Sequence, residues 1–532
     1  MINNTYKQLN HLCSRHHGLV LIGIILLGLL LRLYVAIIGE GYHYFSIKDE
    51  VNALRVALSF LAGEESAFYL GQPNFANGNA PGPVWTLYWV GLYELAGHSI
   101  QRTIILTAII NTSLVYFGYR IARHFLQPVY ALFATFLLAT SPWAVYYTVG
   151  LWNPFPLAML GAFLILSLWK TTSENNSAYI FWVGLISAII PQFHMIGVFY
   201  IPTIILFLIL SPARIHRGWL LAGFLAGTAV YIPYLIGDMA HNWENTKLIF
   251  GAGKRFSFSV LKILTAPITV LSNHPGRWVS DDFKHFIEYA NSWFGSYIIL
   301  IMINLVSMIM GLAVIVKFMT PVFSIIKKNW KQPRIAFKEH HKVLFIGLFL
   351  TLPLLTFIVT GHNYSTRYTI IVFSLLFMLP AFYLQNGKHT RFKQFYIYAL
   401  PLMIIVNFYL LFSFYAYQSN QIKSDDYFVA SFKKMESVRL AIKEHAGPDA
   451  YITIDSNKFA TTAPDKLRTS AIALTTYMDA IETYEAHTTK PVNTKTYLLS
   501  STRNNNEVND KKNNVDPGIA YQDNVITIKA VN

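Results

Sequence analysis

Apolar residues run along this chain in blocks separated by short polar breaks. A helix needs about 20 predominantly apolar residues to cross a bilayer, and eleven stretches approach that length: Gly18 to Ile38, Thr103 to Tyr119, Val129 to Tyr147, Pro154 to Trp169, Ala178 to Ile190, Phe193 to Leu210, Gly218 to Ile236, Ser296 to Val316, Val343 to Val359, Tyr368 to Leu384 and Phe395 to Tyr417. Ala178 to Ile190 is short for a full crossing. Val84 to Leu95 is also apolar, but it is shorter still and carries Glu94, so the pattern lays it on the membrane surface. Between the first two spans, Val51, Leu54, Leu58 and Leu61 share one helical face, which predicts an amphipathic helix in the interface with Asp49 at its head. Beyond the last span the period changes. Phe428, Phe432, Met435, Val438 and Ile442 recur at helical spacing, while Tyr451 to Ile454, Thr496 to Leu499 and Val525 to Ile528 read as short strands. The Asn-rich stretch Asn504 to Asn514 reads as a solvated loop, and no internal repeat is evident. The expected fold is a polytopic α-helical membrane protein of about eleven transmembrane helices with a small α/β C-terminal domain. Its parts are an N-terminus over 1–17, a membrane module over 18–417 with large loops at 39–101 and 237–295, and the domain over 418–532.

Composition agrees: 54% of the 532 residues are hydrophobic and 13% charged, against roughly 25% charged in soluble domains. The net charge, 42 − 27 = +15, would suggest nucleic acid in a soluble chain, but its placement gives another reason. With the N-terminus inside, Lys7, Arg15, Arg120, Arg123, Lys170, Arg214, Arg217, the run from Lys317 to Lys342, and Lys388, Arg391 and Lys393 all fall on the cytoplasmic side. The short opposite loops near Gly150, Gln192 and His362 to Thr366 hold no Lys or Arg before Arg367. The charge is thus a topology signal, with attraction to anionic lipid as a by-product. Both large loops and the tail, which carries 14 basic and 14 acidic residues, then face outward. Cys13 is the single cysteine, so no intrachain disulfide forms. Gly18 to Ile38 is too long for a signal-peptide core and reads as a retained anchor. Apart from Arg32, the span interiors are nearly free of ionisable residues, which disfavours a coupled transporter. No Walker A loop, zinc-ligand spacing or Gly-rich dinucleotide loop occurs.

An outward loop directly after the first span is a place for chemistry at the membrane surface. It contains Ser46-Ile47-Lys48-Asp49-Glu50-Val51-Asn52. A carboxylate at Asp49, partly buried, has the character of a base for an acceptor hydroxyl. Asp before an apolar-periodic run is equally a favoured N-cap.

The order of first span, outer loop with Asp49-Glu50, turn-rich Gly71 to Pro83 and aromatic Val84 to Trp89 resembles the polyprenyl-phosphate-sugar-dependent GT-C glycosyltransferases. The nearest subgroups are the protein O-mannosyltransferases and the lipid A aminoarabinose transferases. Ser141-Pro142-Trp143 through Asn153-Pro154, His194 to Pro202, Lys254-Arg255-Phe256 and the late Arg367-Tyr368 are similar to family segments in the same order, so the resemblance covers about Gly18 to Leu384. It implies a GT-C-like fold and a single inverting displacement, in a bacterial inner membrane with the site facing the periplasm. Asp49 would be the base, and the sugar would come from a polyprenyl-phosphate donor to a protein, lipid A or glycan acceptor. No cofactor is certain, and a divalent metal ion stays an alternative. This chain has Asn153 where the aminoarabinose transferases usually carry a second acid and His194 where they carry Lys, which puts a second carboxylate and a metal site built on it in doubt.

The leaving phosphate would need cations, best an Arg fork. Arg367 opens a span at its outer end against the positive-inside bias, so it is a phosphate ligand or a snorkelling anchor. Lys254 and Arg255 either grip the same phosphate or are solvated, and His194 is a phosphate contact or a hydrogen-bonded bundle residue. Arg55 pairs with Glu50 or Glu64, or meets substrate; Glu50 orients the helix, and Asn153 positions a hydroxyl or forms a polar turn before Pro154. The rival classes are a surface-polysaccharide ligase using a lipid-diphosphate donor and a non-enzymatic lipid or glycan transporter.

Overall fold

The computed structural model describes residues 16–37, 47–63, 69, 71, 82–251, 259–273, 286, 297–361, 366–387, 391–421, 432–447, 450–455, 474, 476–482, 493–501, 519–522 and 526–530. The first half is built from α1 (His17–Ile37), α2 (Ile47–Leu61), α3 (Val84–Leu95), α4 (Ile100–Asn111), α5 (Ser113–Phe125), α6 (Pro128–Thr140), the short α7 (Pro142–Tyr146), α8 (Leu157–Ser173) and α9 (Tyr179–Phe193). A 3-10 segment, Met195–Tyr200, leads into α10 (Ile201–Leu210), α11 (Arg217–Ala229), α12 (Ile232–Ala240), α13 (Glu244–Gly251) and α14 (Val260–Leu271). Then follow α15 (Tyr297–Lys328), α16 (Pro333–Glu339), α17 (His341–Thr360), a second 3-10 segment Thr366–Val372, α18 (Phe373–Leu376), α19 (Leu379–Asn386), α20 (Arg391–Gln421) and α21 (Phe432–Ala446).

Each of the eleven expected spans falls on helical residues, but among the described residues only six stretches are long and apolar enough to cross by themselves, or seven with the α11–α12 pair, bent by 41°. The expected spans at 129–147, 154–169, 178–190 and 193–210 correspond to shorter apolar helices, and sequence explains why. Pro142, at the first position of α7, has no N–H and fixed φ, so α6 stops at Thr140 with Ser141 extended. Pro191 lies near the end of α9, after which the chain turns through His194 at φ −160°. The 12-residue apolar helix α14 falls where the pattern gave only a loop.

Two helices sit differently from the expectation of interfacial placement. α3 remains too short to span, yet Trp85, Trp89, Val90, Leu92 and Tyr93 are buried, and α2 buries Val51, Ala53, Leu54, Val56, Ala57 and Leu58. The two helices pack on each other, so their apolar faces cover protein instead of lipid. Close helix contact elsewhere depends on small residues: a Cβ on Gly223 of α11 would stand 2.3 Å from the Phe181 carbonyl oxygen of α9, and one on Gly227 would stand 2.5 Å from Ala188 Cβ.

Past the bundle, α21 buries Met435, Val438 and Ile442 and lies against β1 and β3 of a four-stranded sheet. The sheet comprises β1 (Ala450–Asp455), β2 (Asn493–Ser501), β3 (Ile519–Gln522) and β4 (Ile526–Ala530) in the order β1-β2-β4-β3. β1 and β2 run parallel from Ala450↔Asn493 to Asp455↔Leu498, and β4 pairs antiparallel with both β2 and β3. The three strands read from the pattern overlap β1, β2 and β4; β3 was not legible as a strand.

Candidate active site

The centre of the site is the non-helical turn between α7 and α8. Gly150 takes φ +122°, a conformation that glycine adopts without a Cβ clash, and the turn is buried from Tyr147 through Trp152. Side chains from four helices hold it. Glu50 of α2, itself fully buried, accepts the Leu151 N–H at 3.0 Å. The Trp89 indole of α3 donates to the Leu151 carbonyl at 3.0 Å, and Asn111 of α4 donates to the Thr148 carbonyl at 3.0 Å. Arg32 of α1, wholly buried, donates to Thr148 Oγ1 at 2.8 Å, to the Gly28 carbonyl at 2.9 Å and to the Ala144 carbonyl at 3.2 Å, with a longer contact of 3.4 Å to the Ala139 carbonyl. Ala139 lies in the last turn of α6, where the helix dipole favours a cation.

From this turn the connections pass to the α9 terminus. Asn153 Nδ2 donates to the Phe193 carbonyl at 2.5 Å, and the Phe193 ring meets Trp85 and Tyr88 edge-on at 5.8 and 5.6 Å. Buried Gln192 ties three elements: its Oε1 accepts the Val84 N–H at 3.1 Å and its Nε2 donates to the Val230 carbonyl at 3.0 Å. His194 Nδ1 accepts the Ile196 N–H at 3.2 Å, capping the 3-10 segment. With Nδ1 accepting, the neutral ring carries its proton on Nε2 and is a donor there. The ring lies 5.4 Å from that of Tyr368, which stacks on Phe357 at 5.8 Å, while the Tyr200 hydroxyl donates to the Tyr368 carbonyl at 3.4 Å. The second 3-10 segment, and with it the Arg367 backbone, is thereby brought beside His194.

The residues singled out in sequence are thus sorted. Glu50, Asn153, His194 and Tyr368 join one connected set. Asp49 is the third residue of α2 instead of preceding the helix, so it stands in the first turn, where a negative charge is favoured, and not at the N-cap. The Asp49 and Arg367 side chains lie outside the described residues, as do Lys254, Arg255 and Glu64. Among the described residues Arg55 forms no ion pair, and its Nε is buried without a hydrogen-bond partner; the expected pairing with Glu50 is not made, because the Glu50 carboxylate turns to Leu151. No three His, Cys, Asp or Glu side chains gather among the described residues. Sequence reasoning missed Arg32, Trp89, Asn111 and Gln192 as site-building residues; the one signal available was that Arg32 is a lone charge within an apolar span.

The model of the dolichyl-phosphate-mannose-protein mannosyltransferase family matches residues 79–237. Two crystal structures of ArnT from Cupriavidus metallidurans share the fold at 10% identity. The one bound to undecaprenyl phosphate gives a TM-score of 0.52 over 94% of this chain and 97% of that one; the apo state gives 0.53 over 96% and 98%. The Archaeoglobus fulgidus oligosaccharyltransferase AglB, in complex with an inhibitory peptide and a dolichol-phosphate, is less alike: TM-score 0.41 and 12% identity over 92% and 70%. No curated protein matches the chain in sequence. The chain thus shares the fold of ArnT over nearly its whole length, and its residues 79–237 match the mannosyltransferase family model. The matched region runs through the Leu151 turn and His194 and leaves Asp49, Glu50 and Arg367 outside.

Proposed function

We propose that this protein transfers a sugar from a polyprenyl-phosphate donor to an acceptor hydroxyl at the periplasmic face of a bacterial inner membrane, with inversion. Asp49 takes the acceptor proton, the oxygen attacks the anomeric carbon, and the lipid phosphate departs against Arg367, with Arg255, Lys254, Arg55 and His194 as further donors. The observation that carries this reading is the bond from Glu50 to the Leu151 N–H: it fixes the first turn of α2, and so the Asp49 backbone, against the region that the mannosyltransferase family model matches. Asn153, its amide engaged by the Phe193 carbonyl, positions the turn and cannot serve as a base. Undecaprenyl phosphate in the ArnT crystal structure supports the donor class.

Asp49→Asn tests the assignment. It preserves size and removes the base, so transfer in membranes at matched protein levels should fall by roughly 10² to 10⁴-fold. The readout is glycan mass spectrometry of cells carrying either form. Wild-type transfer by the variant would move the weight to a lipid-diphosphate ligase, which needs outer cations but no base at this position.

A further inference from the structure

The opposite end of the bundle carries a second charged feature that transfer chemistry does not use. Between Lys327 and Lys342 stand six basic residues, Lys327, Lys328, Lys331, Arg334, Lys338 and Lys342, against one acid, Glu339, and all six are exposed. Among them Trp330 is 73% exposed and Ile335 50%. Arg334 and Ile335 stand four and three residues before Lys338, which places these three along one stripe of α16, and Lys342 follows at the start of α17.

The stripe is held rigidly. Phe337 is fully buried, with its ring 5.5 Å from Phe207 and 4.6 Å from His341, and Arg334 Nε donates to the Ile209 carbonyl at 3.0 Å. α16 is thus fixed through one face to α10 and α17, and its other face points outward already formed. α17 measures the distance to the transferase site. From His341 beside this stripe to Phe357, which stacks on Tyr368, it rises about 24 Å. A substrate phosphate held near Tyr368 therefore gives no reason for these cations.

From these observations we infer that the α15 terminus, α16 and the start of α17 form a docking surface for anionic headgroups of the surrounding bilayer. An exposed indole and an isoleucine among lysines are unfavourable against water alone, but they suit the headgroup level, where the ring buries and the ammonium groups meet phosphate. The positive-inside effect acts during insertion and needs no lipid preference in the folded protein. Docking requires one.

The test uses the full chain in detergent, titrated with dioleoyl phosphatidylglycerol or dioleoyl phosphatidylcholine and read by native mass spectrometry and thermal unfolding. Wild type should bind the anionic lipid at least tenfold more tightly, and the preference should collapse between 50 mM and 500 mM salt, as screening shortens to a few Å. Each surface cation near an anionic headgroup contributes about fivefold. Combined Lys327→Gln, Lys328→Gln, Lys331→Gln and Lys338→Gln should therefore weaken phosphatidylglycerol binding by at least tenfold, and Lys→Arg at the same four positions should preserve it. Equal binding of the two lipids, an unchanged Gln variant, or displacement of the lipid by millimolar inorganic phosphate would overturn the inference. Should the Gln variant assemble poorly, the salt titration of the wild type decides alone. None of these readouts depends on the transferase reading.

Discussion

Arg32 offers the sharpest test of how the bundle is held, because its replacements should rank in an order that charge conservation would not give. It is fully buried, and its three donor nitrogens reach four acceptors: Thr148 Oγ1 and the carbonyls of Gly28, Ala139 and Ala144. At about 1.5 kcal/mol for each hydrogen bond to a charged group, the set contributes about 6 kcal/mol. Holding an arginine at membrane depth costs about 3 kcal/mol, which leaves a net of about 3 kcal/mol. Arg32→Met forfeits the bonds but also the desolvation cost, and it fills much of the space; Thr148 Oγ1 keeps its 2.6 Å bond to the Ala144 carbonyl. The expected loss is about 3 kcal/mol. Arg32→Lys keeps the charge and its cost, while one ammonium cannot span acceptors arranged around a planar fork. It should lose at least as much as Met. The assay is unfolding of the purified full chain in mixed micelles by denaturing detergent, followed by tryptophan fluorescence. A lysine variant within 1 kcal/mol of wild type, or a methionine variant unchanged from it, would refute the account of Arg32 as a fork pinning α1 to the turn.

Further expectations follow from other contacts. Glu50→Gln retains an acceptor for the Leu151 N–H and should fold as wild type, whereas Glu50→Leu orphans that buried donor and should lower stability by about 1–3 kcal/mol, measured by the same unfolding. Gly223→Ala drives a methyl into the Phe181 carbonyl at 2.3 Å and should cost about 1–3 kcal/mol on melting, more than Gly91→Ala, whose Cβ meets nothing within 4 Å. In the tail, burial acts to raise the Glu436 carboxyl, but bonds from Arg439 and Tyr477 and the Arg439 charge outweigh it and hold the group below the ordinary carboxylate range. Its stabilisation is therefore complete above the unfolded value and lost as pH falls through the lower folded value. Protease resistance of the tail should drop in that acid window in the wild type, and Glu436→Gln should flatten the drop.

How far the sequence alone could go is clear from individual elements. Long apolar runs were legible because bilayer crossing demands them, and α1, α15, α17 and α20 lie where hydropathy placed them. α14 was not read, since a 12-residue segment broken by Lys262 and Pro267, next to basic and aromatic neighbours, resembles a loop as much as a helix. α2 and α3 were found as helices but assigned to the lipid surface; amphipathicity shows that a face is covered without saying whether lipid or protein covers it. Single residues fared by the same logic. Glu50 and His194 were noticed through neighbours in sequence. Gln192 joins Val84 to Val230, more than thirty residues away in each direction, and no local pattern encodes such a bond.

These long-range bonds also explain why the site stands where the helices stop. Non-helical backbone at membrane depth is tolerated only where protein satisfies its polar groups, and here the Leu151 N–H, the Leu151 and Thr148 carbonyls and the Phe193 carbonyl are each met by a side chain from another element. A bundle that leaves regular structure must import partners for every freed group, and those partners are the buried polar residues that an apolar core would otherwise exclude. Glu50 is one of them, and the backbone of its neighbour Asp49 lies in the same first turn of α2. The backbone that carries the proposed base is therefore held by the need to satisfy one backbone N–H, so stability and transfer should fail together in Glu50→Leu and separate in Asp49→Asn.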